Sequence, residues 1–376
     1  MNRPRGQICA STSRKLATGL GEAAKARALL GFDGFVDEII AVVDKRYVDG
    51  RFDPVRTIGA MGDKIRAAAG ESTNYELVVK HRKLGGNGPI LANALACLGM
   101  GVSYVGSLGL PVPDPVFAEF ASRAELISIA QPGHTDALEF DDGKVMLGKN
   151  GSLNEIHWET IVERVGEERL EGLIGGANLV GMLNWTMIPR MSQIWERLAD
   201  EVLPKLGQGP RIIFIDLADP EKRTPEEIRA ALGLLRRFQE HAEVILGLNL
   251  KEALQINAVL DLPSHADPEG AIADEARAIR EALGLSCVVI HPRRAAAAAT
   301  ATEAAKFDGP FVRQPIISTG AGDHFNAGFC LGRILGLDLA ESLCAGVSTS
   351  GYYVRTAKSP SLAELAEFVA ELPPAE

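Results

Sequence analysis

Short apolar runs rich in β-branched residues recur at 28–32, 102–107, 179–183, 211–217, 243–248 and 286–290, and longer amphipathic stretches such as 90–98, 191–203, 225–239 and 271–283 lie between them. A strand that is apolar at nearly every position has both faces buried, and strands that alternate with helices return the chain in one direction. The pattern therefore predicts an α/β fold with a mostly parallel sheet covered by helices on both faces. In such a sheet ligands sit outside the carboxyl ends of the strands, so the residues that follow each run are the first places to look for chemistry.

Two segments break the alternation. Residues 44–79 are polar and glycine-containing and end in the strand-like run Tyr75-Glu76-Leu77-Val78-Val79, while 135–148 reads as a hairpin turning at Asp141-Asp142-Gly143. Strands inserted among βα units form a flap, which places a lid at about 44–80 and 128–150 within a single domain covering 1–376. The alanine-rich stretch 295–305 reads as a strand and turn. The first 21 residues, without an acidic side chain or an apolar secretory core, read as a poorly ordered tail leading into a helix.

Composition removes several function classes. The formal charge of -10 with scattered lysines and arginines provides no basic face for nucleic acid. Five cysteines, odd in number and never spaced as Cys-x-x-Cys, match a reduced chain and neither a disulfide framework nor a zinc site, so the cytoplasm is the expected location. No apolar run reaches the ~20 residues of a membrane span. Walker-type, nucleophile-elbow, zinc-protease and dinucleotide signatures are all absent.

The segment from Ile316 to Phe329 contains a glycine-rich turn, Thr319-Gly320-Ala321-Gly322, that runs into an apolar helix carrying Asp323 in its first turn. Small residues let an anion approach the backbone, and amides at a helix start face it. A carboxylate beside bound phosphate does not favour binding, so a proton acceptor explains Asp323 better; an ordinary helix start with Gly for the turn is the other reading. Thr-Gly-Ala-Gly-Asp followed by Phe-x-Ala-Gly-Phe closely resembles the C-terminal signature of the ribokinase-like (PfkB) carbohydrate kinases. That resemblance implies Asp323 as general base and Gly320, Ala321 and Gly322 as the anion hole, with Thr319 beside it.

Three further segments fit the same family. Gly85-Gly86-Asn87, opening a helix that ends in Leu98-Gly99, resembles its N-terminal signature, in which the turn holds sugar hydroxyls; Asn87 offers both donor and acceptor. Asp37, with Asp33 as the second candidate, stands where the family has an aspartate that grips the substrate. Asn249 and Glu252 match an Asn-x-x-Glu element that organises magnesium, often through water, and the same four residues also spell a plain capping box. Ser361 and Glu364 spell only the box.

Departures accompany the matches. The family's usual asparagine falls on Ile90, its Asp-Thr pair on Ile317 and Ser318, which predicts no strong potassium site, and its Thr-x-Gly-x-x-Gly on His291-Pro292-Arg293-Arg294-Ala295-Ala296. His291 and Arg293 can add charge-assisted contacts to phosphates or be solvated loop residues. The resemblance implies a three-layer fold with about eight strands in the central sheet and a small β lid, with ATP and Mg2+ as donor and cofactor and a sugar-like acceptor. Exposed lid edges invite pairing with a second copy, and homodimers are frequent in the family. Three functional readings stand: a carbohydrate kinase, a kinase for a nucleoside or other small alcohol, and a non-catalytic sugar- or nucleotide-binding regulator on the same scaffold.

Overall fold

The computed structural model describes residues 3–207 and 209–375. Its strands are β1 (Arg27–Phe32), β2 (Phe35–Arg46), β3 (Phe52–Pro54), β4 (Leu77–Gly85), β5 (Gly101–Gly106), β6 (Glu125–Ser128), β7 (Gly133–Phe140), β8 (Gly143–Lys149), β9 (Leu179–Leu183), β10 (Ile212–Asp216), β11 (Glu243–Leu248), β12 (Cys287–Ile290), β13 (Ala295–Thr300) and β14 (Ala304–Asp308). All the apolar runs read from the sequence are strands. They lie in one sheet of nine strands, ordered β14-β13-β12-β11-β10-β9-β1-β5-β6, in which β12 through β6 are parallel and β13–β14 form an antiparallel edge hairpin.

Alternation along each strand explains the three layers. Val180, Ile213, Ile215, Val244 and Leu246 point into a core under the helices that include Pro225–Phe238 and Ile272–Leu283. Their neighbours Leu179, Ile212, Phe214 and Ile245 point into a second core under Asn87–Cys97, Ala321–Ile334 and Leu339–Thr356. Side chains two apart share a face, so each apolar strand feeds both cores. The sheet exceeds the expected eight strands because the run Ala295–Thr300 pairs on both edges, with every alanine buried. Alanine is a poor strand former, but tertiary context overrides propensity.

The lid is a second sheet of five strands, in the order β3-β2-β7-β8 with β4 on the free flank of β2. Its central strand β2 starts only two residues after β1 ends, so Asp33-Gly34 is the whole passage from main sheet to lid. Beyond β3 the helix Ile58–Ala67 closes a small lid core of Ile40, Val42, Val55, Met61, Leu138 and Phe140. Thr57 caps that helix by accepting from the Ala60 N–H at 3.0 Å.

Near the N-terminus the structure corrects the sequence reading. Instead of a tail, Arg5–Thr18 is a helix that buries Ile8, Cys9, Thr12 and Leu16 in the second core. Polar ties hold it there: Lys15 Nζ donates to Glu341 Oε2 at 2.6 Å and Ser11 Oγ to Oε1 at 2.6 Å. The stretch expected as one helix over 191–203 is helical at Met191–Arg197 and then widens into a π turn. Among the described residues no helix is long and apolar enough to cross a membrane.

Candidate active site

The carboxyl ends of β1, β9, β10 and β11 converge beneath the lid, and the residues that follow them form the floor of one cleft. Asp33, which leaves β1, is fully buried. Its Oδ1 accepts from the Gly88 N–H (3.0 Å) and Tyr104 hydroxyl (3.2 Å), and its Oδ2 from the Asn87 N–H (3.1 Å) and Asn184 Nδ2 (2.8 Å). Burial pushes its carboxyl up to about 6 against the opposing pull of these donors. With both oxygens engaged, Asp33 sits behind the Gly85-Gly86-Asn87 turn and holds its shape.

Asp37 lies on β2 and faces the cleft, with its carboxylate directly over Gly85. A Cβ at Gly85 would stand 2.4 Å from Asp37 Oδ1, and one at Gly86, whose φ is +96°, would stand 2.8 Å from Asp33 Oδ2. Paired glycines are therefore a steric requirement for seating two aspartates around this turn. Burial raises the Asp37 carboxyl, opposed by the charges of Lys83 and Lys144 and by the Thr135 hydroxyl.

Across the cleft Gly320 adopts φ +88° and starts the helix Ala321–Ile334, in whose first turn Asp323 is buried. Asn87 Nδ2 donates to Asp323 Oδ1 at 3.2 Å, which joins the two longest sequence motifs at one point. Burial drives the Asp323 carboxyl up to about 8, with the nearby charges of Asp33 and Glu252 adding to it and the Asn87 bond opposing. Of the turn amides, Ala321 N–H bonds to Ser318 O at 3.2 Å. Among the described residues no loop or side-chain acceptor engages the Gly320 and Gly322 N–H groups.

Two cavities meet at this turn. The cleft, of about 600 Å³, is lined by Asp37, Asn87, Asn150, Asn184, Gly320 and Asp323. A groove of about 590 Å³ on the other side is lined by His291, Arg293, Phe311, Ala321, Gly322 and Val354 among others. Thr319 lines both. His291 stacks on Phe325 with ring centroids 4.7 Å apart, and its Nε2 is buried without a protein partner. Its ring lies so close to the turn that a Cβ on Gly322 would stand 3.2 Å from Cε1. Burial lowers the imidazole to about 4, so it is neutral at physiological pH.

Asn249 and Glu252 form the capping box: Asn249 Oδ1 accepts from the Glu252 N–H at 3.0 Å and Glu252 Oε2 from the Asn249 N–H at 2.8 Å. Glu252 Oε1 also accepts from the Asp219 N–H at 2.9 Å, and the buried carboxylate lines the cleft. Sequence reasoning passed over its neighbour Asp216, at the end of β10, which is buried and accepts from Asn326 Nδ2 at 3.0 Å. Desolvation and the charges of Glu252 and Asp323 raise Asp216 well above the usual carboxylate range. Asn184, held in the left-handed region at φ 60°, Asn150, Thr135 and Lys222 also line the cleft. The signal for Asp216 and Asn184 was available, since each stands at the carboxyl end of a run already read as a parallel strand. Among the described residues no three Asp, Glu, His or Cys side chains group as a metal site; the cleft carboxylate of Glu252 is a hard oxygen that suits Mg2+ held mainly through water.

The class is legible in this architecture: a ribokinase-like α/β sandwich with a β lid and two cavities joined at a helix-capping turn. A carbohydrate kinase from Agrobacterium tumefaciens superposes with TM-score 0.63 at 18% identity over 93% of this chain and 98% of that one. Phosphofructokinase-2 from Escherichia coli, crystallised as a mutant, gives 0.65 at 15% identity over 92% and 99%. Arabidopsis thaliana ribokinase, solved with ribose and ATP, gives 0.61 at 16% over 92% and 98%. Within the sequence, the prokaryotic ketohexokinase family model matches residues 9–372. Ketohexokinase from Haloferax volcanii is 33% identical over 344 residues, 91% of this chain and 90% of that protein. The chain belongs to the prokaryotic ketohexokinase family; it is a sugar kinase, an ATP-dependent phosphotransferase with a sugar hydroxyl as acceptor. Kinases of this family use ATP and typically Mg2+.

Proposed function

We propose that the acceptor is a ketohexose, bound between the lid and the carboxyl edge of the main sheet, and that Asp323 is the general base for transfer of the γ-phosphoryl group of ATP to one of its primary hydroxyls. The observation that carries this reading is the shared turn: Thr319 lines both the sugar-sized cleft and the nucleotide-sized groove, Gly320 lines the cleft, Ala321 and Gly322 line the groove, and Asp323 stands beside them on the cleft side. Asp37 and Asn87 hold the sugar, with Gly85 and Gly86 giving it close access to the backbone. The triphosphate runs along the groove past Arg293 and His291, whose orphaned Nε2 takes a phosphate oxygen if that nitrogen carries the proton.

The amides of Gly320 and Gly322 receive the γ-phosphoryl oxygens as charge redistributes during transfer, a preorganised contact worth most in a water-poor site. Asp323 accepts the hydroxyl proton as the oxygen attacks in line, and the Asn87 bond fixes the carboxylate's direction. Glu252, on the cleft, and Asn249, on the groove, would hold Mg2+ through water. When bound, the ion neutralises charge on the transferring phosphates. Lid closure excludes water and limits idle hydrolysis. Five unpaired cysteines and an ATP donor suit the cytoplasm. Exposed Leu77 and Val79 on β4 and Met146 and Leu147 on β8 suit pairing of lids between two copies.

The decisive assay measures ATP-dependent phosphorylation across ketohexoses, aldohexoses, pentoses and nucleosides. A ketohexose with the highest kcat/KM is expected. Preference for a nucleoside, or turnover of no acceptor at all, would remove the assignment.

A further inference from the structure

One ammonium beside the cleft has no assignment in this mechanism. Lys83 on β4 is in register with Asp37 on β2, which is itself in register with Thr135 on β7. Cross-strand partners share a face of a sheet, so the three side chains form a row on the face whose Asp37 and Thr135 line the cleft. Lys83 is half-buried, yet among the described residues its ammonium makes no hydrogen bond or ion pair; Asp37, Glu139 and Lys144 act on it only through space. The neighbouring lid lysines differ, because Lys80 and Lys144 both reach Glu139, at 3.5 and 3.1 Å.

Asp37 does not close on Lys83 because its carboxylate is turned over Gly85, where the missing Cβ leaves it room. The result is an acceptor-only carboxylate and a donor-only ammonium side by side on the lid face whose Asp37 and Thr135 line the cleft, and not satisfying each other. Desolvating an ammonium without a partner is unfavourable, and it is relieved when a ligand oxygen enters. Adjacent oxygens on a sugar ring are complementary to such a pair, since one hydroxyl can donate to the carboxylate while its neighbour accepts from the ammonium.

We propose that Lys83 is a specificity-determining residue, whose ammonium donates to the sugar oxygen adjacent to the hydroxyl held by Asp37. The inference rests on the reading of this cleft as the sugar site. It identifies the lid as the element that reads two neighbouring oxygens of the acceptor.

The test uses the full-length enzyme and Lys83→Met, which keeps the apolar stem, with the parent ketohexose and its monodeoxy analogues at saturating ATP. Loss of a charge-assisted hydrogen bond raises KM for the parent sugar about 10- to 100-fold while kcat and KM for ATP hold within about threefold. One deoxy analogue, lacking the oxygen that Lys83 reads, is expected to serve both enzymes equally within about twofold. An equal loss on every analogue would mean a structural role and overturn the proposal, as would a change below about twofold on all of them. If Lys83→Met fails to fold, Lys83→Gln carries the same comparison with a weaker donor. If wild type phosphorylates no ketohexose, the acceptor assignment fails separately, and calorimetric binding of the sugars that do react decides the claim for Lys83.

Discussion

Replacing Asp323 by Asn should disable the enzyme and stabilise it at the same time. The amide keeps an oxygen where Asn87 Nδ2 now donates, so the side chain stays in place while its capacity to take a proton is removed. Loss of a positioned base lowers kcat by at least ~10² with modest change in either KM. The stability half follows from burial: the Asp323 carboxyl titrates near 3.8 when unfolded and about 8 when folded. A folded-state value raised above the unfolded one means the unfolded chain releases its proton first. Wild type therefore loses stability as pH rises from about 4 to about 8 and no further beyond, by on the order of 4 kcal/mol near pH 7. The variant lacks that contribution. Thermal unfolding of both ligand-free proteins should give a Tm difference near zero at pH 4 that grows in favour of the variant up to pH 8. Full turnover in the variant would remove Asp323 as base. A pH-independent Tm difference would refute the account of its burial.

Other perturbations test other parts of the site. Gly85→Ala puts a Cβ 2.4 Å from Asp37 Oδ1, and should raise the sugar KM about 10-fold or more without affecting the KM for ATP. His291→Ala should raise the KM for ATP about 10-fold and leave the sugar KM alone, with an effect constant from pH 6 to 8 because the imidazole, at about 4, is neutral throughout. For the buried Glu341, burial alone would raise the carboxyl, but Lys15, Ser11 and the Asp338 N–H more than offset it and hold it at about 2. A depressed value contributes stability above the unfolded 4.5 that is lost as pH falls toward 2, so Glu341→Gln should lower the unfolding free energy at pH 7 by about 1–3 kcal/mol, seen as a lower Tm, and by progressively less below pH 4.5.

Much of the fold was legible because apolar parallel strands announce themselves by composition alone, and the two glycine turns by steric need. The lid was less so. Phe35–Arg46 carries Asp37 and Glu38 among apolar residues and follows β1 after two residues, so it merged with the first strand instead of standing out as the centre of a second sheet. The helix Ile58–Ala67 contains Gly59 and Gly62, which lower local propensity; its stability comes from packing Met61 on the lid strands. Spacing placed Asp37 ahead of Asp33 without a physical reason; in the structure Asp33 faces inward to amide donors and Asp37 lines the cavity. Asp216 was passed over for a related reason: its place at a strand's carboxyl end was visible, but a carboxylate there looks the same whether it is solvated or buried near Glu252.

That one short turn forms a wall of both chambers has a consequence for redesign of this enzyme. On the proposed assignment, acceptor preference is open to change from the lid, through β2, β4 and β8, and donor preference from the far rim of the groove near Phe311 and Val354, each without disturbing the other. On the proposed mechanism a change at Gly320 or Gly322 offers no such independence, since one borders the chamber assigned to the acceptor and the other the chamber assigned to the donor.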